Sequence, residues 1–198
     1  MIGNFKLETS TLFISFSKKF LKKSESAPRK IFTVAALILT AALSRFVPHP
    51  PNFTPILAMA LFGGAMLGDK KLSLIVPLAA MLLSDIFIGF HADMPAVYLS
   101  FIAITLIGGA MIKSPKVTNV IAGSLVAAVL FFVVTNFSSW LMWEMYPKTL
   151  SGLLLSYEAA IPFFRNTMIA TLVFSGVMFG AFKLIENVKP AWISSENN

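Results

Sequence analysis

Ser44-Arg45-Phe46-Val47-Pro48-His49-Pro50-Pro51-Asn52-Phe53-Thr54-Pro55 joins two long apolar runs. A plain connector between membrane helices needs neither the arginine nor the histidine, asparagine and threonine found here. Proline fixes φ and removes a backbone donor, so Pro48, Pro50, Pro51 and Pro55 make the stretch stiff and non-helical. Such a segment suits two tasks. It can simply end one helix and start the next, or it can hold polar side chains in fixed positions over a site.

The rest of the chain sets the context for that choice. Its 198 residues are 57% hydrophobic and only 13% charged, with a mean hydropathy of +0.79. A soluble domain carries about a quarter charged residues. Several apolar runs approach the ~20 residues that cross a bilayer as helix. The expected fold class is therefore all-α, a polytopic integral membrane protein with six transmembrane helices. The expected spans are Ile31–Val47, Pro55–Gly68, Leu72–Phe90, Pro95–Ile112, Val117–Trp143 and Ile161–Ile185. The second is short enough to be re-entrant, but charge favours spanning. Residues 1–30 read as a basic cytoplasmic tail, 31–187 as the transmembrane domain and 188–198 as a short cytoplasmic tail. In the first tail Leu12, Phe13, Phe16 and Phe20 oppose Lys18, Lys19, Lys22 and Lys23, the pattern of an amphipathic helix on anionic lipid.

The net charge of +7 would suggest nucleic acid in a soluble chain. Here it follows topology. With six spans and both termini cytoplasmic, all 16 basic residues except Arg45, Lys148 and Arg165 fall on the inner side. That is the positive-inside pattern, and it leaves membrane lipids, not nucleic acid, as the macroscopic partner. Small residues recur at Ala36, Thr40 and Ser44, and at Ala60, Gly64 and Gly68. Such stripes let helices approach closely, within the bundle or against another membrane subunit.

The same topology gathers the unusual polar residues at the outer end. Arg45, His49, Asn52 and Thr54 lie in the first outer loop. Asp85, His91, Asp93 and Tyr98 surround the second. Asn136, Trp140, Trp143 and Tyr146 end the fifth span, and Tyr157, Glu158, Arg165 and Asn166 lead into the sixth. Leu150–Ala160 reads as a short helix lying over the outer mouth. An outward-facing concave site follows, with Arg45, His49, Asn52, Thr54, Asp85, His91, Asn136, Trp140, Arg165 and Asn166 as its substrate-binding residues.

Asp85 is the most informative of these. An aspartate within a membrane helix costs at least ~2.5–3.5 kcal/mol unless paired or hydrated. Arg45 and Arg165 are the outer arginines that can reach it. Such a pair can lock helices together, contact substrate, or do both. Asn136 and Asn166 are amides that hydrogen-bond across helices or to a ligand. The aromatics fit an interfacial belt, or a rim on which a flat ligand stacks.

Other chemistries find no support. There is no Walker A sequence, no H-E-x-x-H and no G-x-S-x-G. There are no cysteines, and His49 and His91 sit in different loops, so no metal site or other cofactor is expected. No nucleophile stands beside a base, so an enzyme is not expected.

The phrases S-R-F-V-P-H-P-P-N-F-T-P-I-L-A-M-A-L-F-G-G-A, S-D-I-F-I-G-F-H, Y-L-S-F and A-I-P-F-F-R-N-T resemble a family of bacterial six-helix membrane proteins without an assigned function. That family is itself similar to the substrate-binding S components of energy-coupling-factor (ECF) transporters. The resemblance covers about residues 31–187. It implies a multi-pass protein of the bacterial inner membrane with an S-component-like bundle. It further implies a small-molecule substrate, a micronutrient or vitamin-like compound captured from outside. An ECF-type transmembrane coupling subunit with its ATPases would be the partner. The A-x-x-x-A docking motif of those proteins reads Ala36-x-x-x-Thr40 here. The rival expectations are a membrane scaffold without transport activity and a membrane enzyme using Asp85 or His91.

Overall fold

The computed structural model describes residues 28–187, and every regular element among them is helical. The basic segment before residue 28 and the tail after residue 187 lie outside the described residues. Helix α1 (28–43) ends in a single 3-10 turn, Ser44–Phe46. It is followed by α2 (Ile56–Met66), α3 (Lys70–Ile88), α4 (Met94–Met111), α5 (Val117–Met142) and α6 (Leu150–Asn187). The compact unit that carries the features below begins at Val34.

Helix α2 is the centre of this unit. Its residues from Leu57 through Gly63 are all buried, on every face. A helix apolar all round is a core helix, and α2 packs against α3, α4, α5 and α6. Glycine sets its closest contact. A Cβ on Gly64 would collide with the Thr105 carbonyl of α4, and one on Gly108 would collide with the backbone of Leu61. On another side Gly63 leaves room for the ring of Pro77, the proline inside α3. The Ala60–Gly64 stripe is thus an internal packing face. Its glycine partners on α4, Gly108 and Gly109, carry the other half of the contact.

Two expected spans are corrected. With 11 residues, α2 rises roughly 16 Å, about half of a hydrocarbon core, and it is enclosed by protein. The last helix is 38 residues long and starts at Leu150, not Ile161. Leu150–Ala160 is therefore the first part of α6 and no separate helix over the mouth. Thr149 starts it, its hydroxyl accepting from the Gly152 amide at 3.2 Å. Pro162 sits where a helix start is expected, but the helix runs through it. A proline removes only its own bond to the carbonyl four residues back, and the flanking turns hold the ladder.

Four helices, α3, α4, α5 and α6, are long and apolar enough to cross a membrane, with window hydropathies of 1.8 to 2.4. Only 28–39% of those windows is buried within the protein. Many of the remaining apolar side chains face outward, and Phe87, Leu99 and Val177 are 77%, 65% and 60% exposed. That is the composition of helices whose solvent is lipid, and it marks the chain as a membrane protein.

Helix ends fix the loops. Asp69 caps α3, its carboxylate accepting from the amides of Lys71 and Leu72 at 2.8 and 2.9 Å. Gly89 ends α3 with φ 109°, and its amide bonds the Asp85 carbonyl at 2.8 Å. The loops α1–α2, α3–α4 and α5–α6 meet at one end of the unit. Asn166 reaches Pro51 there, and Ser139 and Trp143 reach Asp93.

Candidate functional site

The proline-rich stretch is built around one turn. The Phe53 amide bonds the Pro50 carbonyl at 3.0 Å, closing Pro50-Pro51-Asn52-Phe53. Asn52 has φ 61°. Proline at the second position and a positive φ at the third are the requirements of a type II turn, and asparagine tolerates the left-handed region better than most side chains. The turn is moored on two sides. The Asn166 amide donates to the Pro51 carbonyl at 2.9 Å, and the rings of Phe53 and Phe174 lie 5.9 Å apart.

Beneath it lies a charged cluster. Arg45 Nη1 stands 2.7 Å from Asp85 Oδ1. The same nitrogen donates to the hydroxyl of Ser84. Tyr98 donates its hydroxyl to the other carboxylate oxygen at 2.8 Å. The side chains of Arg45 and Asp85 are only 10% and 4% exposed. Asp85 is the only charged residue among the fully buried described ones. Helix α1 supplies the cation, α3 the carboxylate and α4 the phenol, so the cluster joins three helices. Arg45 is the partner of Asp85, and Arg165 is not. Arg165 is exposed.

Beside this cluster is a cavity of about 180 Å3, lined by Arg45, Asn52, Thr54, Asp85 and His91 together with Thr167 of α6. Half of the ten expected site residues therefore converge. Two others, Asn136 and Trp140, line a separate cavity of about 430 Å3 near the end of α5. Three have other surroundings. His49 is exposed and turns Nδ1 to the Pro50 carbonyl at 3.0 Å, Arg165 is exposed as noted, and Asn166 moors the turn.

The larger cavity is aromatic. Trp140, Trp143, Tyr146 and Phe163 line it, with Asp93, Ser139 and Asn136 as its polar groups. Trp140 donates its indole N–H to the Pro147 carbonyl at 2.9 Å, which folds the α5–α6 loop back on α5. Asn136 donates to the Phe132 carbonyl in its own helix at 2.7 Å. Among the described residues it makes no interhelical bond of the kind that would make it packing glue.

Sequence reasoning missed Thr167 and Ser139 as lining residues. It also placed Tyr98 in the right neighbourhood without its bond to Asp85. The signal for Tyr98 was its position one turn into α4, level with the end of α3. Thr167 gave none, because a hydroxyl in a membrane helix usually bonds the carbonyl four residues back, as Thr167 does to Phe163 at 3.0 Å.

An all-helical chain with several lipid-facing helices and a buried Arg–Asp–Tyr cluster under a proline-rich loop defines a class, a polytopic helical membrane protein. Over residues 25–192 the sequence matches the family described as "Family of unknown function (DUF6580)". The chain belongs to that family. No curated protein and no solved structure matches it significantly.

Proposed function

We propose that this protein is a membrane-embedded binding subunit that captures a compact polar nutrient from the outer face for uptake. The observation that carries this reading is the convergence of Arg45, Asn52, Thr54, Asp85 and His91 on one cavity beneath the Pro50–Phe53 turn. Donors, acceptors and an ionisable imidazole face the same small space, enough to hold a polar molecule by several hydrogen bonds. At about 180 Å3 the cavity is below the ~300–1,000 Å3 of pockets for drug-sized ligands, so its ligand is small. Binding fits better than catalysis, because Asp85 has both oxygens engaged and is not free as acid or base. The likeness to S components adds a micronutrient as substrate class and an ECF-type coupling subunit with ATPases as partner. The basic asymmetry supports placing the site outside and both termini in the cytoplasm of a bacterial inner membrane.

One observation favours a second reading. A fully satisfied Arg45–Asp85–Tyr98 cluster is also what a scaffold needs to lock three helices together. Mass spectrometry of small molecules extracted from the purified chain separates the two. Capture predicts a near-stoichiometric polar compound in the wild type, lost from a His91→Ala, Thr167→Val variant of unchanged melting temperature. A scaffold predicts no such compound, or equal amounts in both proteins.

A further inference from the structure

The aromatic cavity carries an observation of its own. Asp93 Oδ1 accepts from Ser139 Oγ at 3.3 Å and from Trp143 Nε1 at 3.2 Å, and Oδ2 lies 3.3 Å from the same indole nitrogen. Both donors are neutral. No cationic side chain among the described residues pairs with this carboxylate. The aromatic rings around it share one electrostatic preference. The faces of Trp140, Trp143, Tyr146 and Phe163 are negative on their π surfaces. Helix α5 ends at Met142, and its last carbonyls are already answered by Lys148, so the aromatic rings and Asp93 carry this preference and the helix end does not. The protein already holds one ammonium at this helix end. Lys148 Nζ donates to the Trp143 carbonyl at 2.6 Å and to the Trp140 carbonyl, and it stands 5.6 Å from the Trp140 ring centroid.

We propose that this cavity is a binding site for an organic cation, an amine or quaternary ammonium group, distinct from the polar cavity beneath the proline turn. The aromatic faces surround the cation and Asp93 balances its charge. The volume of about 430 Å3 lies within the range of small-molecule pockets. A quaternary ammonium head needs no hydrogen-bond acceptor of its own, which suits a carboxylate whose oxygens already accept from Ser139 and Trp143. The source of the cation is either a free solute or the headgroup of a choline lipid, since both present the same chemistry to the site.

Equilibrium dialysis of radiolabelled choline against the purified full-length chain in detergent tests this. Saturable binding is expected, displaced by tetramethylammonium. The uncharged carbon isostere of choline, 3,3-dimethylbutanol, should displace it at least about tenfold less well, because only the charge differs. Asp93→Asn keeps the shape and should weaken choline binding about tenfold. Tyr146→Leu removes an aromatic wall that makes no hydrogen bond among the described residues, so it leaves the loop's bonds intact and should weaken binding severalfold. Displacement by phosphatidylcholine in mixed micelles assigns the site to a lipid headgroup, and its failure to displace assigns it to a free cation. Absence of saturable binding, equal displacement by the uncharged isostere, or wild-type affinity in either variant would overturn the proposal. None of these readouts depends on a ligand in the polar cavity.

Discussion

Asn166 donates its side-chain amide to the carbonyl oxygen of Pro51 at 2.9 Å, tying the middle of the proline-rich loop to the last helix. In a type II turn the carbonyl of the second residue points away from the turn and is free to accept from elsewhere. The sequence pattern casts Asn166 as a ligand contact. One of its amide hydrogens holds the loop that covers the polar cavity. Asn166→Ala should therefore lower stability by about 1 kcal/mol, the usual net worth of one hydrogen bond. Hydrogen exchange should show the Phe53 amide protected less than in the wild type, with amides of α4 unchanged. Equal protection in both proteins would mean that the mooring bond does not hold the turn.

Asn52 shapes the turn and lines the polar cavity, and substitution can separate the turn from the proposed ligand contact. Its φ of 61° makes Asn52→Ala a strained change, costing about 1 kcal/mol. Asn52→Gly adopts the same backbone freely and removes the amide. Glycine at this position should melt within a few degrees of the wild type and above the alanine variant. Any loss of ligand in Asn52→Gly then reports the amide itself, whereas loss in the alanine variant alone reports the turn.

The cluster of Arg45, Asp85 and Tyr98 should behave as a lock. Asp85→Asn or Arg45→Gln leaves a buried charge without its counter-charge, and breaking such a pair costs about 3–5 kcal/mol. Replacing both residues together, Arg45→Met with Asp85→Leu, removes the uncompensated charge and should recover a large part of that loss. A double-mutant cycle on thermal or denaturant unfolding in detergent measures the coupling. Additive losses would mean that the two side chains do not stabilise the fold as a pair.

The sequence is most informative where cost dictates arrangement. A buried aspartate demands a cation, and the outer basic residues are few, so Asp85 with an arginine is legible from the chain alone. The choice of Arg45 over Arg165 is not, because it depends on which face of α6 turns inward. Long apolar runs locate α3, α4 and α5 to within two residues. The errors lie where local signals are ambiguous. Pro162 looks like a helix start because proline is common there, and the Thr149 cap that begins α6 lies between Lys148 and Leu150 in a loop-like run. The apolar run Pro55–Gly68 is short, and only the charge pattern reads it as a span; its helix, α2, has eleven residues. Its burial on every face and the glycine contacts with α3 and α4 reveal that it is enclosed. Thr54 and His91 read as one site with Trp140. Chain topology brings them to one end but cannot say that they line two separate cavities.

Those glycine contacts give a stability prediction of opposite signs. Gly64→Ala forces a Cβ into the backbone carbonyl of Thr105, which has no flexible side chain to give way, so the α2–α4 crossing must open. Overpacking of this kind costs about 1–3 kcal/mol or more. Gly176 lies inside α6, and a Cβ added there would meet nothing within 4 Å. Gly176→Ala should stabilise by about 0.5–1 kcal/mol, since alanine restricts the unfolded chain and favours helix. Melting temperatures moving in the same direction for both would reject the packing account.

Orientation in the membrane is the remaining prediction, and the chain's lack of cysteine makes it direct to test. The loops α1–α2 and α3–α4 meet at one end, and α4 is long enough to carry the chain to the opposite side before the α4–α5 loop. Lys113 and Lys116 sit in that second loop, and Lys70 and Lys71 open α3 at the same level. The end that carries Arg45, Lys148 and Arg165 is poorer in basic residues. Basic loops stay cytoplasmic, so the polar cavity and the aromatic cavity should both face outward. His49 is exposed in the α1–α2 loop, and Ser114 lies in the α4–α5 loop. Neither side chain anchors a helix contact, so cysteine is tolerable at each. In intact cells an impermeant maleimide should label His49→Cys and spare Ser114→Cys, which reacts only after the membrane is opened. The reverse pattern would invert the protein and place both cavities on the cytoplasmic side. Labelling of both from outside would remove α4 as a membrane span.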